Sequence, residues 1–237
     1  MGGDVVLGAL RAESERLYEQ VSGLPEAEWE RPSPCPPWSV REVFAHLTAG
    51  LERVGAMLDA APPVAVGELS TAVDHYAQDV RFTCTPDGRS VELAADVGID
   101  APQRYAAGFG DGRALAEHFD GVWRAVVERC AGEPASRVVV TRPGEAMLLG
   151  EFLLTRVVEV CVHGFDVAWG LGHAPWPSGE AAAVVCRLLL GRELLPGELV
   201  LGWDRTTLLR KATGRLPMTA VERVAARRAG VRWLTLR

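Results

Sequence analysis

A mostly α protein, a four-helix bundle followed by a small α/β segment, is what this sequence predicts, and three observations carry it. Four long segments within the first 170 residues repeat apolar side chains at helical spacing. A run of breakers, LGHAPWP at 171–177, follows them. Beyond it lie short helical patterns alternating with two short β-like runs. We therefore expect a bundle domain over 1–173 and a small α/β cap over 174–237, the cap packing on the bundle because it is too small to bury its own apolar faces.

The first helix is expected over 4–22, with Val6, Leu10, Leu17 and Val21 apolar and Asp4 at the N-cap position. Gly23 and Pro25 end it. The proline-rich stretch 32–37 cannot be helical throughout and forms an extended approach. Ser39 with Glu42 fits a capping box, which starts a second helix whose face is Val40, Val43, Phe44, Leu47, Leu51, Val54 and Leu58. Residues 61–110 carry the weakest pattern. His75 and Tyr76 sit in a short helical piece there, and Val80, Phe82 and Cys84 alternate toward a Pro86-Asp87-Gly88 turn, as in a hairpin. Asp111 caps a third helix over about 112–131, with His118 on its surface. RVVVT at 137–141 is β-like, and 147–170 is the fourth and most hydrophobic helix. Gly164 inside that helix suggests a close backbone approach. In the tail we expect helices at 179–191, 206–213 and 219–228, with strands at 199–203 and 231–236.

Composition narrows the class. The 237 residues are 48% hydrophobic and 24% charged, as in an ordinary globular protein. A formal net charge of −6 argues against non-specific nucleic-acid binding, which needs a basic face. No apolar run reaches the roughly 20 residues a membrane span requires, and the N-terminus lacks the pattern of a secretory signal. Cys35, Cys84, Cys130, Cys161 and Cys186 are odd in number and dispersed, which suits reduced thiols and a cytoplasmic setting. No nucleotide-binding glycine loop and no G-x-S-x-G elbow is present.

The chemistry is concentrated in TRVVEVCVHGFDVAWG, residues 155–170. Glu159, His163 and Asp166 are spaced i, i+4, i+7, one stripe of a helix, and Arg156 extends that stripe by a turn. Charged groups among so many valines cost several kcal/mol unless they are paired or hold a metal. Glu and His one turn apart present an oxygen and a nitrogen to one cation. Two plainer readings stand beside this: a strand, which suits the β-branched residues, and a buried salt-bridge cluster of Glu159, His163 and Arg156. His46, beside the apolar face of the second helix, is a candidate for the missing third ligand, with a packed or surface histidine as the plainer reading. The resulting His2Glu set with an open fourth position is the pattern of catalytic zinc, and a bundle core is a usual place for it.

PSPCPPWSVREVFAHL and LLTRVVEVCVHGFDVAWGLG together resemble the mycothiol-dependent maleylpyruvate isomerase family, part of the wider DinB-like metal-binding four-helix bundles. The tail's ATGR, at 212–215, resembles the family's C-terminal segment; residues 61–110 match poorly. Pro37 stands where the family usually has Gly, and Glu42 where it has Asp. The resemblance implies that His46, Glu159 and His163 ligate a divalent metal such as zinc, with Asp166 orienting a ligand imidazole. It also implies mycothiol as the thiol cofactor, activated as thiolate for a small-molecule electrophile, in a maleylpyruvate-type isomerase or an S-transferase. Arg156 and Asp166 are then the candidate catalytic residues. Arg210, Lys211 and Arg215 are candidate cations for anionic groups, with Arg210 and Arg215 taken as the cofactor-binding pair. We expect no nucleic-acid or membrane partner and a monomer or homodimer. The alternative is a non-catalytic metal-binding bundle acting as sensor or biosynthetic accessory.

Overall fold

The computed structural model describes residues 2–61, 67–78, 100–141, 144–195, 197–232 and 234. Its long helices are α1 (Gly3–Val21), α3 (Val40–Asp59), α6 (Gly112–Ala131) and α7 (Leu149–Leu171). α1 packs on α6 and α7, and α3 packs on the same two, which closes the four-helix bundle. The four expected helices are therefore present, each within about two residues of its expected ends.

Short elements join them: α2 (Glu26–Trp29), α4 (Ala72–Gln78), α5 (Ala101–Ala106), β1 (Val138–Val140) and β2 (Ala146–Leu148). The two strands pair antiparallel with Val139 opposite Met147. Met147 and Leu148, expected in the first turn of the fourth helix, instead belong to this second strand, and α7 begins immediately after it. The hairpin expected around Val80, Phe82 and Cys84 lies outside the described residues. At the start of α3 the capping box forms in full: Ser39 accepts from the Glu42 amide, and Glu42 accepts from the Ser39 amide. Asp111 caps α6 as expected. The first helix instead starts from Gly2, with Asp4 in its first turn, where a carboxylate complements the helix dipole.

α7 is the centre of the molecule. Trp169 is its one exposed side chain, and β-branched residues that suit a strand are carried on a helix because packing on all sides overrides propensity. The tight approach lies at Gly170 rather than Gly164: a Cβ at Gly170 would stand 2.5 Å from Cγ2 of Val40, whereas one at Gly164 would meet nothing closer than 3.9 Å. No helix among the described residues is long and apolar enough to cross a membrane.

The chain then forms α8 (Gly179–Leu190), α9 (Arg205–Ala212) and α10 (Ala220–Arg228), with α8 packed on α1, α7 and α9. The strand expected at 199–203 does not form, and most of the one expected at 231–236 lies outside the described residues. Leu201 and Gly202 both have positive φ, 58° and 79°, so residues 199–203 fold back on themselves, with Val200 and Trp203 exchanging backbone hydrogen bonds. Val231 closes the end of α10 by donating to the Ala226 carbonyl, and Arg232 donates to Leu189 at the end of α8.

Candidate metal centre

α3 and α7 bring together the three residues read as ligands. His46 projects from α3, Glu159 and His163 from one stripe of α7, and one donor atom from each lies within 4.8 Å of the others. Oε2 of Glu159 is 3.4 Å from Nε2 of His163 and 3.7 Å from Nε2 of His46. These separations are long for hydrogen bonds. Ligands at 2.0–2.1 Å from a tetrahedral ion stand about 3.3 Å apart, so these three side chains are a candidate set for one cation. Glu159 and His163 pair at 3.4 Å, while among the described residues Arg156 forms no ion pair with Glu159.

The surroundings fix each ligand. Nδ1 of His163 lies 2.8 Å from Oδ2 of Asp166, which directs Nε2 toward Glu159. Asp166, 1% exposed, takes a two-point contact from Arg215, with Nε 3.1 Å from Oδ1 and Nη2 2.9 Å from Oδ2. The Cys35 thiol stands 3.4 Å from the same Oδ2. Trp38 stacks on the His46 ring at 5.4 Å, and the two imidazoles meet edge to face at 5.1 Å.

Burial alone would drive these groups to their neutral forms. It does lower the pKa of His46, keeping that imidazole neutral and able to ligate. At Glu159 burial is overridden by the facing imidazoles of His163 and His46 and by Arg156, which hold the carboxyl well below its usual range. At His163 burial is overridden by Asp166 and Glu159, which raise it to about 9. Asp166 is held below the ordinary carboxylate range, burial notwithstanding, by Arg215 and His163.

Arg156 lines a small pocket with His46, Leu47, Gly50, Leu51, Glu159 and Val160. A Cβ at Gly50 would stand 3.1 Å from its Nη1, so the glycine gives the guanidinium room between α3 and α7. Arg215 is turned inward on Asp166 and also donates to the Thr213 carbonyl. Arg210 contributes its backbone, whose carbonyl accepts from Arg215 and Leu216 and shapes the turn that delivers Arg215. Lys211 lies apart from the site, paired with Glu222 at 2.5 Å and set over the Trp203 ring.

The sequence profile of the mycothiol maleylpyruvate isomerase N-terminal domain matches residues 10–168. The chain belongs to this family. The matched span includes His46, Glu159, His163 and Asp166, while Arg215 lies beyond it. Two crystal structures of the mycothiol-dependent maleylpyruvate isomerase, one of them a point mutant, are similar to it. Each is 14% identical and covers 80% of this chain and 70% of its own, with TM-scores of 0.50 and 0.49. The likeness extends to the fold, a DinB-like helical bundle. No curated protein matches the sequence.

In this family member, three contacts escaped sequence reasoning: Tyr76 on Glu159, Trp38 on His46, and Cys35 on Asp166. Cys35 and Trp38 sit inside the proline-rich motif, which was the available signal. His75, singled out beside Tyr76, pairs instead with Glu145 at 3.0 Å. Burial pushes the Cys130 thiol up to about 11, Cys186 to about 12, and Cys161 well above its usual value, so none of these is a ready thiolate.

Proposed function

We propose that this protein is a divalent-metal enzyme, with zinc as the ion, that makes mycothiol a nucleophile for conjugate addition to an electrophilic small molecule. The observation that carries it is the His46–Glu159–His163 triad, three donors within 4.8 Å of which one is a carboxylate. A divalent cation held there would keep net positive charge and would favour the thiolate of an incoming thiol over its protonated form. That the nucleophile comes from outside agrees with the raised pKa values of the buried cysteines Cys130, Cys161 and Cys186.

The chain's own residues then have separable tasks. Asp166, charged and fixed by Arg215, keeps the His163 proton on Nδ1 and leaves Nε2 free to ligate. Arg156, beside the triad and uncommitted to a carboxylate among the described residues, is placed to pair with a substrate carboxylate. Bound as thiolate, the cofactor would supply the nucleophile for conjugate addition to a cis double bond. In a maleylpyruvate-type reaction, rotation about the resulting single bond with loss of the same thiolate would give the trans product and return the thiol. In an S-transferase the sulfur stays attached. Family membership and the name of the structural neighbours favour the isomerase; the setting we propose is cytoplasmic.

The test is thiol dependence. The zinc-loaded protein should consume a cis-enoic diacid only when mycothiol or a cysteine–glucosamine analogue is present, and the cobalt-loaded protein should gain a thiolate-to-metal absorption band. Silence in both, from protein that does hold metal, would overturn the enzyme in favour of a sensor or accessory protein.

A further inference from the structure

The two oxygens of Glu159 have different neighbours. Oε2 faces the imidazoles, 3.4 Å from Nε2 of His163 and 3.7 Å from Nε2 of His46. Oε1 lies 3.1 Å from the hydroxyl of Tyr76, a residue 7% exposed. The same hydroxyl stands 3.0 Å from the Thr155 carbonyl oxygen, so its single proton has two acceptors. The carboxylate is the stronger of them because it is charged. The Thr155 carbonyl also lies within α7, where helix geometry pairs it with the amide four residues on, so the tyrosine is a second donor to it.

Tyr76 does not depend on this bond for its place. The Ser70 amide donates to the Ala146 carbonyl at 2.9 Å, and the Ala72 amide to Glu151 at 2.8 Å. His75 Nδ1 lies 3.0 Å from Glu145. These fixings seat α4 on β2 and the start of α7, and the phenol is delivered to Glu159 from there.

We propose that Tyr76 is a positioning residue of the metal centre: by occupying Oε1 it leaves Glu159 one oxygen to offer a cation and so keeps a fourth position open for the thiol. The inference rests on the metal-centre reading above. A carboxylate released from such a bond can turn both oxygens to an ion, raising its coordination number and filling the position the thiol needs. The segment before residue 79, which has no recognisable motif, thereby becomes part of the site.

Cobalt uptake, zinc affinity measured by competition with a chromophoric chelator, and melting of the metal-free protein decide the matter for wild type, Tyr76→Phe and His75→Ala. Wild type should bind cobalt with the intense visible bands of a four-coordinate ion. Tyr76→Phe should lose about tenfold to a hundredfold in zinc affinity, and its cobalt bands should weaken as the coordination number rises. Its metal-free melting temperature should stay within about 4 °C of wild type, the shift expected for one hydrogen bond in a chain of this size. His75→Ala, which removes a fixing of α4 without touching Glu159, should keep the wild-type cobalt spectrum. Unchanged zinc affinity and cobalt bands in Tyr76→Phe would overturn the proposal, and a drop in melting temperature alone would assign the hydroxyl to fastening α4. A spectral change in His75→Ala equal to that of Tyr76→Phe would overturn it too. Failure of the metal reading itself is distinguishable, because wild type would then take up neither ion.

Discussion

Two carboxylates, Glu13 buried and Glu159 partly buried, lie on opposite sides of α7, and their surroundings drive them to opposite states. Glu159 sits on the helix itself, facing α3. Glu13, on α1 and 2% exposed, reaches the far side of α7, where its neighbours include Cys161. Cys161 is two residues past Glu159 and so points about 160° away from it around the helix. Burial pushes both carboxyls toward protonation. At Glu159 the imidazoles of His163 and His46 and the guanidinium of Arg156 override it. At Glu13 burial prevails over the contact with Ser178 and the field of Arg16, and the pKa rises. Glu13 accepts from the Ser178 amide at 2.7 Å, at the N-cap of α8. One carboxylate is kept charged by the imidazoles and the guanidinium around it; the other fastens a helix. A buried acid is a ligand candidate when cationic or ligating groups face it, and a fastener when amides do.

The largest effect expected on this contrast is loss of metal. Wild type purified without chelator should carry about one equivalent of a divalent ion, and His46→Ala, Glu159→Gln or His163→Ala should each reduce this to near zero by elemental analysis. Affinity should also depend on pH with a defined sign. In metal-free protein His163 holds its proton up to about 9 against an ordinary 6.5, so its stabilising effect is complete below 6.5 and is lost as pH rises through about 9. An incoming ion must displace that proton, and zinc affinity should climb about tenfold per pH unit until about pH 9 and then level off. A pH-independent affinity across that window would break the assignment of His163 as a ligand.

The grouping of His46, Glu159 and His163 was legible in the sequence, because spacing on a helix fixes which side chains share a stripe. Glu159, His163 and Asp166 needed that rule alone, and His46 needed the capping box that sets the phase of α3. Arg215 was legible only as a charge: it follows α9, 49 residues after Asp166, and no local pattern shows which way a loop guanidinium turns. Tyr76 lies in a segment without periodicity, so its helix was faint and its partner invisible. Glu13 did leave a signal that was passed over. With Ser14 it occupies the face of α1 otherwise made of Val6, Ala9, Leu10, Leu17 and Val21, a polar interruption in an apolar stripe. The strand expected at 199–203 was misread for a related reason: apolar composition suggested extension, but Leu201-Gly202 is a turn.

A smaller effect should come from Arg215. Asp166 is almost fully buried, and removing its guanidinium leaves a charge with less compensation. Arg215→Ala should destabilise the protein by about 3–5 kcal/mol, read as a lower urea midpoint with an unchanged slope. Arg215→Lys, which keeps the charge but not the two-point fork, should fall between that variant and wild type. An Arg215→Ala protein as stable as wild type would mean that the His163 contact alone satisfies Asp166, and that the tail does not secure the site.

The smallest effect, and the sharpest test of the contrast, is expected at Glu13. A carboxyl whose pKa is raised on folding binds its proton more tightly in the native state, so its contribution is most favourable below the unfolded value near 4.5. Stability then declines as pH rises from there through the folded value, and at neutral pH the ionised group is a cost. Glu13→Gln removes the charge and keeps an oxygen for the Ser178 amide. It should be neutral to stabilising by up to about 1 kcal/mol at neutral pH, with the difference from wild type vanishing near pH 4. Urea midpoints of the metal-free proteins at both pH values measure it. A Gln variant destabilised by more than about 2 kcal/mol at neutral pH would show that Glu13 is needed as an anion. The two carboxylates flanking α7 would then differ in their partners but not in their charge, and burial without a facing cation would no longer mark a fastener.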